Sequence, residues 1–529
     1  MKPFLMGILF LIFHSTLGAT EGSREELLSK ISSDLDSVRQ KSQLSESKQF
    51  SILKGVGLEL RELAPRFHLS LIEDIEVGKP LHGSQLTLMH KIVGTFVNLD
   101  YQYLKLSKRA QSRPLKLLVQ LERYRNFSII YRPYYSNKKF RRLVNAQDSS
   151  FDVEKKELKK LITDLIKRKN IKQINKEVAS FKRDVKARII ERDEAYVHDV
   201  IEHEIIDTLK DERVWKGLRK KKISQTLSDF RSNTGDAVVH FLSGAFGNGA
   251  GSIRWRKGHL LNNKEVTQEI KSILKPLDII TEKVRFALTD AFIPGHFGHN
   301  AIWLGTPAQL KELDLWEHPV IRPHHKQLLA GNSIIETDRS GTHFKSLEAF
   351  MNVDEFGLLR LKPEVLNIET EKKKVIQIYR VALAQLGKTY DFNFDVETTD
   401  QLVCSELLYQ AFGDVNWPTE DYIGRTTISP DNIVSLALYN NAPIDLIYYV
   451  QGLKNGGVVL KDLENLANDV GFKKIDDEYQ EGYRHCETVK MIRTGSRGSE
   501  TIAKRSCETR YQRRNYTHHR SLPYLTLSL

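Results

Sequence analysis

The stretch IPGHFGHNAIWLG, Ile293 to Gly305, sets two histidines three residues apart, leads in through a Pro-Gly turn and runs out into a short apolar segment. Read as a β-strand beginning at His299, it sends His299, Ala301 and Trp303 to one face and Asn300, Ile302 and Leu304 to the other. Gly298 leaves room beside the His299 imidazole for another group. His296 falls in the turn, where no pleat fixes its direction. Of the two, His299 is the histidine whose direction the strand would fix.

An imidazole needs something to act on, and the chain offers Cys404 in TTDQLVCSELLYQAF. Val403, Leu407, Leu408, Ala411 and Phe412 make one apolar helical face, and Thr399 or Asp400 can cap the helix. The thiol then sits near a helix start, where unpaired N–H groups and a neighbouring imidazolium lower a thiol from its usual value of about 8.5. Taken alone, Cys404 is weak evidence for a nucleophile, because buried cysteines are common and the inert core reading then comes first. A cysteine–histidine pair also wants a group that orients the imidazole. Glu336 in NSIIETDRSGTH lies on the next expected strand, with Asp338 and His343 as rivals.

Working outward, 529 residues are too many for one core, and 40% hydrophobic residues are enough to fill two or three. Residues 1–20, MKPFLMGILFLIFHSTLGAT, carry one lysine, an apolar run from Phe4 to Phe13 and small residues at Gly18 and Ala19. The run is roughly ten residues against the twenty or so that a membrane span needs, so it reads as a secretory signal peptide, with an uncleaved anchor as the rival. The expectation is an exported, periplasmic or envelope-associated bacterial protein. Its 80 Lys+Arg against 67 Asp+Glu, a net +13, favour an anionic envelope surface as partner, and export argues against nucleic acid. The three cysteines leave one unpaired: Cys486 and Cys507, close in a polar tail, can bond, and Cys404 remains.

Residues 21–235 read as an all-helical domain. In EKKELKKLITDLIKRKN, Leu158, Leu161, Ile162, Leu165 and Ile166 recur at three and four, opposite a lysine face. His198 and His203 lie five apart, without the spacing of a helical zinc site, and read as exposed. Residues 236–260 read as a linker around SGAFGNGAGS, which lacks the Gly-Lys-Ser/Thr of a phosphate loop. Residues 261–450 alternate short β-like runs with the helical segments EKKKVIQIYRVALAQLG and DQLVCSELLYQAFG, an α+β domain. Residues 451–529 form an extension whose part after about 480, rich in Arg, Ser and Thr, reads as poorly ordered. Asn126 and Asn515 sit in glycosylation sequons.

Three blocks, LTDAFIPGHFGHNAIWLGT, IIETDRSGTHFKSLEAFMNVDEFGLLR and LAQLGKTYDFNFDVETTDQLVCSELLYQAF, together resemble the circularly permuted, YiiX/YebB-like branch of the NlpC-type papain-like cysteine hydrolases. In unpermuted relatives the cysteine helix precedes the histidine strand; here the histidine comes first. The resemblance covers roughly residues 270 to 440. It implies an antiparallel sheet with packed helices, Cys404 as nucleophile, His299 as general base, Glu336 as orienting residue and Tyr390, in GKTYDFNF, at the oxyanion site, with no metal or cofactor. It further implies an amide-cleaving hydrolase acting through a thioester on a peptide or peptidoglycan substrate. An acyltransferase or lipid esterase using the same pair, or an inactive envelope-binding scaffold, are the alternatives. One departure stands out: relatives carry Pro-Gly-Asp before the first strand, and here KPLDII puts Leu277 at the glycine.

Overall fold

The computed structural model describes residues 30–38, 44–76, 79–145, 157–220, 256–285, 295–391, 396–397, 399, 401–422, 425–495 and 498–518. The signal-peptide reading of residues 1–20 and the glycine-rich stretch at 243–252 fall outside them. The chain divides into a helical unit up to Val239 and a sheet unit from His240 to His519, apart from Glu397–Asp400.

In the helical unit, α1 (Glu46–Glu76), α2 (Gly83–Arg109) and α3 (Arg113–Ser136) pack against one another, followed by α4 (Lys138–Asn145), α5 (Glu157–Leu165) and α6 (Arg168–Lys186). The apolar repeat of residues 154–170 is split between α5 and α6, yet Leu158, Ile162, Leu165 and Ile166 are buried as the three-and-four spacing requires. Two internal ion pairs cross the helices: Arg61 of α1 to Glu122 of α3 at 2.9 Å, and Arg123 of α3 to Asp100 of α2 at 2.9 and 2.8 Å. His203 is not exposed as its polar surroundings suggest. Its side chain is 6% accessible and its Nε2 lies 3.6 Å from Glu122, a buried carboxylate that needs polar partners. His198 is exposed. Asn126 is buried and accepts a hydrogen bond from Arg61 at 2.6 Å, so that sequon offers no acceptor in the folded chain.

The sheet unit is built on seven strands in the order β11-β10-β5-β1-β2-β3-β4, all antiparallel. They are β1 (Ile279–Lys283), β2 (His299–Trp303), β3 (Ile334–Asp338), β4 (Gly341–Lys345), β5 (Glu355–Leu361), β10 (Ile444–Gly452) and β11 (Val458–Leu460). The strand expected to begin at His299 is β2, and the next expected strand, with Glu336, is β3. The alternation predicted for β2 holds: Ala301 and Trp303 enter a core with Ile280, Ile334, Phe350, Phe356 and Leu358, while Asn300 faces away from it. Across the sheet lie α7 (Lys264–Ile273), α8 (Lys372–Ala384) and α9 (Cys404–Ala411); the last rests on β2 and β3. The pairs β6 (Thr389–Tyr390) with β7 (Gln401–Leu402) and β8 (Glu420–Tyr422) with β9 (Arg425–Thr427) complete the unit around α9.

Two expectations change. Arg256–Leu260, assigned by composition to the linker, are fastened to the sheet unit: Arg256 holds Asp354 with two bonds of 2.7 Å, and Leu260 N–H donates to the Val353 carbonyl at 3.0 Å. Residues 481–495 and 498–513 are paired strands rather than irregular chain. They form the hairpin β13 (Glu478–Gly495) and β14 (Gly498–Arg513), joined at its base by β12 (Phe472–Ile475). Cys486 and Cys507 face each other across this ladder and are disulfide-bonded. A ribbon with solvent on both faces needs no apolar alternation, which is why composition alone reads it as a tail.

Leu277, where the family pattern has glycine, takes a left-handed backbone with φ 68°. Sterics there cost a leucine about 1–2 kcal/mol. The conformation is held because Leu277 N–H donates to Trp303 at 2.7 Å, Trp303 N–H returns to Asp278 at 2.9 Å, and the Asp278 carboxylate is gripped by Arg360 with two bonds of 2.7 Å. The leucine side chain is itself buried. Leu277→Gly therefore relieves the strain but forfeits about 2–3 kcal/mol of apolar burial and loosens the unfolded chain, so urea unfolding should show a net loss of about 1–2 kcal/mol.

Candidate active site

The site is assembled where β2, β3 and the first turn of α9 meet. His299 opens β2 and pairs with Glu282 of β1, while two residues on Ala301 pairs with Glu336 of β3. That register places Glu336 diagonally across from His299, within side-chain reach on the same face. His299 Nε2 and Glu336 Oε2 are 3.0 Å apart.

Cys404 is the first residue of α9. The sequence places the cap at Thr399 or Asp400; the structure starts the helix later, with Val403 as cap and its N–H donating to the Glu406 carboxylate at 2.9 Å. The chain reaches the helix as strand β7, and a side chain at the very first helical position faces the unpaired amides of the helix start. The adjoining Ser405 is anchored to β2, its Oγ accepting from Asn300 Nδ2 at 3.2 Å. The buried Cys404 sulfur lies 3.9 Å from Ser405 Oγ and within electrostatic reach of the His299 side chain and the Asn300 backbone N–H. With Nε2 given to Glu336, Nδ1 is the ring nitrogen left for the sulfur.

These contacts set the charges. Burial alone would push the Cys404 thiol up, but the His299 charge and hydrogen bond, with the Asn300 N–H and Ser405, bring it below the ordinary thiol value. Burial would likewise lower His299, yet the Cys404 charge and hydrogen bond, then Glu336, carry it well above the ordinary histidine value. Glu336 is fully buried, which disfavours its charge; hydrogen bonds from His299 and His343 and the charges of His299 and Lys345 hold it far below the carboxylate range. Each group's charge favours the other's, toward thiolate and imidazolium, and the two titrate as one unit.

Tyr390 reaches the same place by another route. β6 and β7 run parallel, Tyr390 opposite Leu402, and Asp391 N–H donates to the Leu402 carbonyl at 3.0 Å. Its hydroxyl is pushed well up, first by burial and then by the Cys404 charge, so it keeps its proton at neutral pH.

The sequence-named residues Cys404, His299 and Glu336 are thus brought together, and Tyr390 lies within electrostatic reach of Cys404. Among Glu336's rivals, His343 is a partner rather than a substitute. It pairs directly across from Glu336, with Nε2 3.2 Å from Oε1, and Lys345 Nζ adds a bond of 2.7 Å to the same oxygen. The tight DRSGT turn contained this information, because it fixes residue 343 opposite 336. Asp338 lies 3.8 Å from His343 on its outer side.

His296 belongs elsewhere. Its Nε2 is 3.0 Å from Glu355, in a network with Tyr449, Lys461 and Asp469. Its turn is fixed by Asp431, whose carboxylate accepts the N–H groups of His296 and Phe297 at 2.7 and 2.8 Å. Gly295, at φ 113°, leaves no space there: a Cβ would lie 2.4 Å from Asp431. Among the described residues, His296, Glu355 and Asp469 form one group with metal-ligand spacing, and Glu336, Asp338 and His343 form another. Lys461 Nζ stands 3.0 Å from Glu355 in the first and Lys345 Nζ 2.7 Å from Glu336 in the second, so an ammonium already supplies the positive charge in each.

Residues 274–448 match the family described as the permuted papain-like amidase enzymes, YaeF/YiiX, C92 family. No curated protein and no solved structure matches the chain. The matched segment contains β1 to β9, the first part of β10 and all of Cys404, His299, Glu336 and Tyr390, so the resemblance read from sequence holds for this domain. The family is one of cysteine amidases and peptidases.

Lys345 supplies a test of the charge arrangement. Glu336 stays ionised in Lys345→Met because two histidines still bond it, while the cation opposing the imidazolium is gone. His299 should therefore lose its proton at higher pH than in the parent. Imidazole NMR titration reads this directly; a shift to lower pH would mean that Glu336 takes up a proton when Lys345 is removed.

Proposed function

We propose that this protein is an exported cysteine hydrolase that cleaves an amide bond in a peptide or cell-envelope substrate through a thioester acyl-enzyme. The observation that carries the reading is a single alignment: Cys404 at a helix start, within electrostatic reach of His299, whose Nε2 is bonded to the buried Glu336. Export rests on the sequence of residues 1–20; among the described residues no helix is long and apolar enough to cross a membrane.

In this mechanism the Cys404 thiolate attacks the substrate carbonyl carbon, and the carbonyl oxygen becomes an oxyanion. Two donors serve it: the backbone N–H of Cys404, one of the amides a helix leaves unpaired at its start, and the protonated Tyr390 hydroxyl. The oxyanion then collapses, the carbon–nitrogen bond breaks, and imidazolium His299 delivers its proton to the departing amine. A water molecule, deprotonated by the now neutral His299, attacks the thioester. The second tetrahedral species expels the thiolate, releasing the acid and leaving His299 protonated. Glu336 keeps the imidazole ring oriented throughout and balances its charge. No step requires a metal or cofactor.

An acyl-chain ester would pass through the same thioester, so substrate choice is settled by assay. Purified protein incubated with peptidoglycan fragments and, separately, with phospholipids should release new amino groups from the former, and Cys404→Ser should abolish the release. Equal release by Cys404→Ser would refute the proposal, and fatty-acid release without amide cleavage would assign the ester chemistry instead.

Glu336→Gln removes the charge that raises His299. His299 then loses its proton at lower pH, and the thiol, with less imidazolium beside it, ionises at higher pH. The bell-shaped profile of kcat/KM should narrow from both sides, and its maximum should fall by about 10²–10⁴.

A further inference from the structure

Helix α6 carries a feature the hydrolase reading does not use. Ile171, Ile174, Val178, Phe181 and Val185 form its buried face. Opposite them, Lys169, Lys172, Lys176, Arg183 and Lys186 are all exposed. At about 100° per residue these five fall within one arc of about 100°, and at 1.5 Å per residue they run along roughly 26 Å of the helix. No acidic residue lies in that arc. The two acids of the helix lie to one side, with Asp184 bonded to Arg113 at 2.6 Å and Glu177 accepting from Gln173 at 3.0 Å.

Neighbouring cations are matched: Lys167 with Asp164 at 3.0 Å, Arg168 with Glu212 at 3.3 Å, and Lys182 with the Ile201 carbonyl at 2.7 Å. The five in the stripe make no ion pair among the described residues. Lys169 with Lys172, Lys172 with Lys176 and Arg183 with Lys186 are like charges at spacings of three and four, which oppose the helix they sit on. An anionic partner would offset that repulsion.

The C-terminal end of the stripe indicates which anion. Arg188 turns the chain with a left-handed φ of 58°, and Ile189 follows, 74% exposed, its N–H fixed to the Asp184 carbonyl at 2.9 Å. A large apolar side chain held out beside Arg183, Lys186 and Arg188 has no use for a soluble polyanion. It suits the boundary between headgroups and acyl chains. We propose that the exposed face of α6 with the Arg188–Ile189 turn docks the protein on an anionic lipid bilayer. This stands independently of the chemistry at Cys404.

The test is co-sedimentation of the full chain with phosphatidylglycerol–phosphatidylcholine vesicles, with phosphatidylcholine vesicles alone, and with soluble polyphosphate as competitor. Binding should require the anionic lipid and weaken as salt rises. At roughly fivefold per cation, the triple variant Lys172→Gln, Lys176→Gln, Arg183→Gln should bind about a hundredfold more weakly. The variant Lys257→Gln, Lys326→Gln, Lys454→Gln, which loses the same charge elsewhere, should bind as the parent does. Ile189→Ser should weaken vesicle binding about tenfold and leave polyphosphate binding unchanged. Circular dichroism confirms that each variant keeps its helix content. Equal loss in both triple variants would reduce the effect to net charge and overturn the proposal. So would binding to neutral vesicles, or polyphosphate binding with no vesicle binding.

Discussion

The structure depends on one electrostatic arrangement: a sulfur at the start of a helix and an imidazole at the start of a strand, each holding the other's charge in a place where neither would be charged alone. Burial disfavours both ions, and an isolated buried charge is normally neutralised by a shifted pKa. Here each favours the other, and Glu336 behind the ring favours the imidazolium. Glu336 is in turn an anion with no access to water, kept so by His343 and Lys345 from β4. The sequence of charges therefore alternates from Cys404 outward, and each buried member has an opposite neighbour.

Such an arrangement tolerates little movement, and the surroundings supply the stiffness. Asn300 connects β2 to α9 through Ser405, directly beside both reacting side chains. Asp431 fixes the turn that delivers β2, and the Asp278–Arg360 pair fixes the turn that delivers β1, where Leu277 is held in a backbone that glycine would adopt freely. The permuted chain order has no effect on the chemistry, because strand and helix meet in space whichever comes first. His299 and Glu336 lie on adjacent antiparallel strands.

Much of this was legible in the residues. Period-two alternation around His299 gave the face on which it lies, and the apolar spacing of Cys404's segment gave a packed helix. The exact helix start was not legible: Thr399 and Asp400 are better caps by composition than Val403, but the chain runs through β7 first and a Glu406 contact replaces the cap. His203 and the polar hairpin after residue 478 misled for one reason. Polar residues report exposure only on average, and a buried Glu122 or a two-stranded ladder gives them partners that no local pattern reveals. Lys345 carries no local signal, and His343 reads as a rival of Glu336 rather than its partner, because their role exists only once β3 and β4 are paired.

The central claim concerns the charge on one sulfur, and the rate of Cys404 alkylation by iodoacetamide as a function of pH measures it. Cys404 is the one free cysteine, so the signal is unambiguous. The account predicts that alkylation in the parent reaches half its maximal rate well below the ordinary thiol value of about 8.5, and that in His299→Ala the midpoint climbs to that value or above it. A parent midpoint at or above about 8.5, or one that stays put when His299 is removed, would contradict it.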